Sequence, residues 1–192
     1  IQVLTPTRKG PSGTMNLNRC LQETLNPKTP DKREILWGER LFREGDRIMQ
    51  TRNDYDVVWE KEDGTVGTGM FNGDVGKITQ IDPSGEWLSV DFDGRSALYG
   101  VEQLAELDLA YAQTVHKAQG SEYRAVVLAA MPAAQSLMVR GVLYTALTRA
   151  RELLVVVGDD AAIRSMAAND RQQRRYSGLK WRLSHESGLH GN

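Results

Sequence analysis

Ala125-Val126-Val127-Leu128-Ala129-Ala130 and Leu153-Leu154-Val155-Val156-Val157 decide the fold class. Each is a short, continuous apolar run, the pattern of a parallel strand covered on both faces, where no position has to meet water. Between them, Ser136 to Ala150 reads as a helix, and Ala161 to Ala168 after the second run reads as another. Toward the N-terminus, Ile1 to Thr5 is a third apolar run, closed by Pro6. Thr14 to Leu25 then carries Met15, Leu17, Leu21 and Leu25 at helical spacing. Arg47 to Thr51 and Leu109 to Gln113 read as further strands. Strands alternating with helices predict an α/β domain built on a parallel sheet.

One stretch breaks that rhythm. From 54 to 104 the chain shows short alternating strands, such as Val75 to Ile81 and Trp87 to Phe92. Turn signals separate them: Glu62-Asp63-Gly64, Asn72-Gly73-Asp74, Asp82-Pro83-Ser84-Gly85 and Asp91-Phe92-Asp93-Gly94. A stretch of this length with several hairpins and no long helix predicts a small β-barrel or SH3-like unit. The expected organisation is an α/β domain over 1–53 and 105–168, an insert over 54–104, and a polar tail over 169–192.

Composition narrows the function. The 192 residues are 40% hydrophobic and 26% charged, ordinary for a globular protein. With 24 basic and 25 acidic residues the net charge is −1, which argues against a wholesale basic nucleic-acid binder but leaves room for a local phosphate-contacting surface. The densest basic run, Arg164 to Arg182, reads as a solvated face. A lone cysteine, Cys20, precludes an internal disulfide; it is expected as an inert buried thiol, with a reducing cytoplasm as the default location. No apolar run nears the roughly 20 residues that cross a bilayer. The first residues read as a strand and not as a signal peptide, and with no initiator Met they suggest a piece of a longer protein.

Several familiar chemistries lack their residues. There is no Gly-x-x-x-x-Gly-Lys-Ser/Thr, the usual cradle for nucleotide phosphates, so ATP hydrolysis by this chain alone is not expected. His116, His185 and His190 have no partners at zinc spacing. Ser184-His185-Glu186 cannot form a triad from adjacent residues.

Two segments stand out. Ala112-Gln113-Thr114-Val115-His116-Lys117-Ala118-Gln119-Gly120-Ser121-Glu122-Tyr123 follows one strand and precedes another, at the sheet edge where open α/β sheets bind ligands. Its Thr, His, Lys and Ser side chains can donate to phosphate oxygens, and Gly120 permits close backbone approach. A plain polar loop explains the composition equally well. Val142 to Arg151 is a largely apolar helix ending in Arg149 and Arg151. Cations at a helix C-terminus meet the dipole favourably, the reading preferred for Arg151. Arg149 is left open between that role and presentation to a phosphate across a cleft.

Taken in order, these segments resemble superfamily 1 helicases of the RecD/TraA group, which move 5′ to 3′ on single-stranded DNA. TVHKAQGSEY (114–123) looks like motif V, LYTALTRAR (143–151) like motif VI, and VLTPTRKGPSGTMNLN (3–18) is similar to motif IV. GDRIMQTRNDYD (45–56) and Met70-Phe71-Asn72-Gly73-Asp74 match a signature before and inside that family's insert. The resemblance covers nearly all of residues 1 to 165. It implies a second RecA-like domain interrupted by an SH3-like insert, with a P-loop and a Mg²⁺-binding acid on a first RecA-like domain of the same protein and ATP in the cleft between the two. It also implies that Arg149 reaches the γ-phosphate, with Arg8 as the motif IV contact. Gly120 and Glu122 would face the nucleotide or couple it to DNA, while Thr114, His116 and Lys117 would touch the DNA backbone. Asn72 would lie toward DNA, although Asx turns account for Asn53 and Asn72 at least as well. Among the insert's aromatics, Tyr99 and Trp59 are the candidates for an exposed stacking face, with Phe71, Trp87 and Phe92 expected in a small core. The partners implied are single-stranded DNA, the first RecA-like domain and recombination-nuclease subunits. The alternative is a module that binds nucleic acid or protein without ATP; a metabolic ATPase lobe is the remoter choice.

Overall fold

The computed structural model describes residues 1–171. The tail from 172 onward, with most of the basic run and Ser184-His185-Glu186, lies outside the described residues.

Four strands form a parallel sheet: β1 (Gln2–Thr5), β11 (Ala112–Thr114), β12 (Tyr123–Ala130) and β13 (Ala150–Gly158), in the order β11-β1-β12-β13. The register sets Leu4 beside Gln113 and Leu128, and Val127 beside Val155. Helices α2 (Arg140–Leu147) and α3 (Asp160–Ala168) supply Val142, Leu143, Ala146, Ala162 and Met166 to a core with Leu4, Val126 and Leu128. The run at 125–130 behaves nearly as expected, alternating between buried and half-buried positions. The run at 153–157 does not. Among the described residues it is the outermost strand, and Leu153 and Val157 are 55% and 57% exposed. A continuous apolar run marks a strand without telling whether a neighbour lies beyond it, and here the helices pack on the side of Leu154.

The second sheet is antiparallel, with seven strands: β4 (Arg47–Gln50), β5 (Asp54–Glu60), β6 (Val66–Met70), β7 (Val75–Ile81), β8 (Trp87–Phe92), β9 (Arg95–Gly100) and β10 (Leu107–Leu109). Their order is β10-β4-β7-β8-β9-β5-β6. Ile48, Val57, Met70, Ile78, Leu88, Val90 and Phe92 fill its core. Asp93 and Gly94 join β8 to β9 with φ of 52° and 82°, the two positive values a type I′ hairpin turn demands. Two strands expected in the parallel sheet belong here. Arg47–Gln50 pairs antiparallel with β7, setting Ile48 beside Gly76. The stretch read as one strand at 109–113 divides: Leu109 pairs with Ile48, whereas Ala112 pairs with Val3. The apolar pattern is the same on either side of the break, so it could not assign the sheet. A separate hairpin, β2 (Glu34–Trp37) and β3 (Arg40–Arg43), turns through Gly38 and was not anticipated.

Helix α1 (Thr14–Leu25) forms where the spacing predicts it, but it turns its polar stripe inward. Thr14, Asn18 and Gln22, at intervals of four, are buried, while Met15, Leu25 and Cys20 are exposed. The thiol is therefore not the buried group its apolar neighbours suggested. The inward stripe joins the two sheets. Asn18 brackets Ala112, accepting from its amide at 2.6 Å and donating to its carbonyl at 3.1 Å, and it also donates to Leu109 O. Gln22 and Asn26 donate to the fully buried Asp46 carboxylate at 2.5 and 2.7 Å, which also accepts from the Tyr111 hydroxyl at 2.9 Å and the Arg43 amide at 2.7 Å. Burial pushes the Asp46 carboxyl up, and these donors pull against that shift.

Candidate functional site

The 115–122 segment starts at the carboxyl end of β11 and ends at the amino end of β12, so its two ends meet different neighbours. At the first end, Thr114 caps a helical turn. Its carbonyl accepts from the Ala118 amide at 3.1 Å and its hydroxyl from the Lys117 amide at 3.3 Å. Val115 and Ala118 are buried beneath the turn, which leaves His116, Lys117, Gln119 and Gly120 exposed. Gly120 has φ of 85° with open space around it, so the reversal there needs a residue without a side chain. His116 and Gln119 face Arg140, Tyr144 and Thr145 of the α2 region across an opening of about 970 Å³.

At the second end the contacts close on Arg149. Helix α2 stops at Leu147, so the arginines lie beyond it: Arg149 in the turn and Arg151 in β13. The Arg149 guanidinium donates to Thr145 O at 3.2 Å, Thr148 Oγ1 at 3.3 Å and Ser121 O at 2.9 Å. Its backbone carbonyl accepts from the Tyr123 amide at 2.8 Å. Three of the five guanidinium N–H groups are thereby used, leaving two for a ligand. The side chain is half-buried at the sheet's edge and not sealed in the core, a position that fits a phosphate arriving from outside. Glu122 is exposed and pairs with Arg151 at 2.6 Å. That pair gives Arg151 a partner the helix-dipole reading did not foresee.

Arg8 sits in a loop folded tightly onto the start of α1. Gly13 N donates to Gly10 O at 3.0 Å and Met15 N to Arg8 O at 3.2 Å. A Cβ at Gly13 would come within 2.5 Å of Lys9 O and 2.6 Å of Arg8 O, so the loop requires glycine there. The Arg8 side chain points toward Asp108, 3.6 Å away, in a cleft of about 920 Å³ shared with Trp37 and Arg40.

Two candidates in the second sheet fare differently. Tyr99 is fully buried, with its hydroxyl donating to Gln50 Oε1 at 3.0 Å, so it cannot offer a stacking face; it is core, and burial raises its phenol far above the ordinary range. Trp59 is partly buried against that core and lines an opening of about 850 Å³. Asn72 is exposed at a turn, where its backbone amide donates to the Asn53 side chain at 2.9 Å, a bond across 19 residues and not the local Asx turn weighed for these two residues. Reading the sequence missed Trp37, Arg40 and Asp108. The signal was present in Ile35-Leu36-Trp37-Gly38-Glu39-Arg40-Leu41-Phe42, two apolar arms about a two-residue turn with glycine leading. Among the described residues, no three His, Cys, Asp or Glu side chains converge as a metal site. No helix among them is long and apolar enough to cross a membrane.

Comparison with known proteins bears on this arrangement. A family described as the SH3 domain of ATP-dependent RecD-like DNA helicases matches residues 17–92, and the UvrD-like helicase C-terminal domain matches 109–157. The chain is 40% identical over 174 residues to the ATP-dependent RecD2 DNA helicase of Deinococcus radiodurans, covering 91% of this chain and 22% of that protein. It is 32% identical over 182 residues to the RecBCD enzyme subunit RecD of Mycolicibacterium smegmatis, covering 95% and 29%. The chain belongs to the RecD-like DNA helicase family. It spans about a quarter of the length of these relatives. A crystal structure of Bacteroides Pif1 bound to ssDNA has the same fold, with a TM-score of 0.54 at 17% identity over 97% of this chain and 46% of that one. The RecD-like chain is thus an α/β RecA-like sheet interrupted by an SH3-like unit. The second family match begins at Leu109, where the chain passes from one sheet to the other.

Proposed function

We propose that the full-length protein is an ATP-dependent helicase moving 5′ to 3′ on single-stranded DNA, and that this chain is its second motor domain. Arg149 reaches the γ-phosphate of ATP, whose phosphates and Mg²⁺ are held mainly by a first RecA-like domain. Bound there, ATP supplies the free energy of hydrolysis, and the chain's own part is to sense whether the γ-phosphate is present. The observation that carries this reading is the bonding of Arg149. One guanidinium is anchored to the end of α2 and to Ser121, yet keeps two donors free. A phosphate that draws on those donors also pulls on the 115–122 segment, so nucleotide state is passed to the residues at its other end. Glu122 and Gly120 lie along that connection. Thr114, His116 and Lys117, at the far end, grip the strand through its backbone, and Asn72 lies beside the strand's path. Contacts of this kind are independent of sequence, as a motor requires.

The test is DNA-stimulated ATP hydrolysis by the full-length protein. Arg149→Ala is expected to reduce turnover by roughly 10³-fold, the scale of an arginine supplied to a transferring phosphate, while binding of single-stranded DNA persists. Normal turnover by that variant overturns the role of Arg149. Association with recombination-nuclease subunits, suggested by the RecBCD relatives, is tested by whether the full-length protein co-purifies with such subunits from its own cells.

A further inference from the structure

Arg8 and Arg40 line one cleft, along the seam of α1 with the β2–β3 hairpin, together with Asp108. Arg8 and Lys117 come from loops of the parallel sheet, following β1 and β11. Arg40, on β3, and Asp108, on β10, come from the other side. Asp108 lies 3.6 Å from Arg8. The Lys117 ammonium is held below its ordinary pKa, first by partial removal from water; Asp108 opposes this, and Arg8 and Arg40 add to it. In the cleft itself Arg8, Lys9, Arg19 and Arg40 outnumber Glu23, Glu39 and Asp108.

Arg40 is fixed in place. Its guanidinium lies 4.7 Å over the Trp37 ring and donates to Leu107 O. Trp37 is anchored in turn against the core of the antiparallel sheet. A guanidinium held in this way keeps donors for a second partner without losing further side-chain freedom. The cleft continues from here past Lys9, Asn16 and Arg19. Of the two other carboxylates along it, Glu23 is already bonded to Arg43 at 3.0 Å, and Glu39 lies at the hairpin turn. The result is a groove with positive residues in excess, walled by the 8–10 loop and α1 on one side and by the β2–β3 hairpin and β10 on the other.

We propose that this seam is a grip on the sugar–phosphate backbone of a single DNA strand, with Arg40 binding one phosphate and Arg8 and Lys117 binding its neighbour. This deepens the helicase reading and rests on it. It assigns Arg8 to the strand and not to the nucleotide, and it makes the β2–β3 hairpin a working part of the motor. An extended groove lined by cations and amides tracks a backbone, whereas a nucleotide's phosphates would need one compact pocket. Trp37 is the positioning residue: it acts through Arg40.

The experiment uses the full-length protein, a fluorescently labelled oligo(dT) whose anisotropy reports binding across a salt series, and a fluorescent ATP analogue measured in parallel. Arg40→Ala is expected to weaken strand binding roughly three- to tenfold, the scale of one partly exposed ionic contact. It should also flatten the slope of log K against log salt by about 0.7, as one lost phosphate contact on a single strand requires. Trp37→Ala should weaken binding comparably, and Trp37→Phe should restore most of it, because a ring is kept beneath the guanidinium. Affinity for the ATP analogue should not change in any of these variants. Wild-type affinity and slope in both Arg40→Ala and Arg8→Ala overturn the proposal, as does a loss confined to the ATP analogue, which would make the bound phosphate the nucleotide's. If the wild-type protein itself fails to bind the oligonucleotide, the helicase reading falls and the strand grip with it, an outcome distinct from a working helicase indifferent to Arg40.

Discussion

The two ends of the 115–122 segment differ in how their charges are settled. At the end near β12, each cation has protein partners. Arg151 pairs with Glu122 at 2.6 Å, Arg124 with Glu152 at 3.0 Å, and Arg149 bonds three oxygens. At the end near β11, Lys117 is exposed on its turn and Arg8 reaches Asp108 only at 3.6 Å, in the cleft it shares with Arg40. A settled end keeps its shape whether or not a ligand is present, whereas an unsettled end is stabilised by an arriving anion. That is a sensible division for a motor: a preset sensor at one end, and at the other a grip that closes on its track and lets go.

The strongest way to break this comparison is at Arg149. Arg149→Lys keeps the charge but replaces a planar fork with a single ammonium, so it cannot hold Thr145, Thr148 and Ser121 and still serve a phosphate. ATP turnover of Arg149→Lys in the full-length protein is expected to fall nearly as far as that of Arg149→Ala. A variant retaining most of its turnover would mean that charge alone suffices there and that the anchoring to Ser121 is incidental.

Next in size is the joint that keeps the two ends in register. Asp46 accepts from Gln22, Asn26, Tyr111 and the Arg43 amide, and so ties α1 and the crossing point between sheets into one unit. Asp46→Ala removes the acceptor of four donors, of which the Gln22 and Asn26 amides keep a second bond to Leu41 O and Glu44 O, and is expected to lower stability by about 3 kcal/mol, measured by urea unfolding. Asp46→Asn should recover part of this, since one oxygen still accepts while the amide faces two donors. A change under about 1 kcal/mol for Asp46→Ala would show that water takes over the carboxylate's place and that the joint is loose.

What the sequence disclosed follows from which interactions are local. The extents of β1, α1 and α3 were legible because their limits are set by Pro6, by helical spacing and by the Asp159 cap, whose carboxylate accepts from the Ala161 amide at 2.8 Å. The Asp93-Gly94 turn was legible because both residues must adopt positive φ. Sheet membership was not legible. Ile48 and Leu109 are apolar whichever sheet they join, and the crossing between sheets is held by bonds of long sequence separation, Asn18 to Leu109 O across 91 residues and Gln22 to Asp46 across 24. The inward polar stripe of α1 was hidden for the same reason: an amide looks solvent-facing until its buried partner is known. Of the candidate site, Arg149 and the 114–122 segment were pointed to by resemblance to RecD-like helicases, whereas residue types alone left them open. Arg40 escaped notice because its relevance depends on Trp37 beneath it and on the cleft it shares with Arg8, and neither relation is written in spacing.

The smallest effect is expected at Glu122, and it sharpens the comparison most finely. As an exposed ion pair with Arg151 it should contribute less than about 1 kcal/mol to stability, so Glu122→Gln should unfold almost as the wild type does. If Glu122 only settles charge at its end of the segment, turnover will be unchanged as well. The coupling role proposed for it requires more: DNA-stimulated turnover reduced roughly two- to tenfold, on the scale of a weakened partner contact, with strand affinity and its salt dependence intact. Steady-state ATP hydrolysis titrated with oligo(dT) separates these cases, because a coupling defect lowers the plateau while a binding defect shifts the midpoint. A shifted midpoint with an unchanged plateau would place Glu122 with Lys117 on the strand-binding side, and the division between the two ends would then have to be drawn elsewhere.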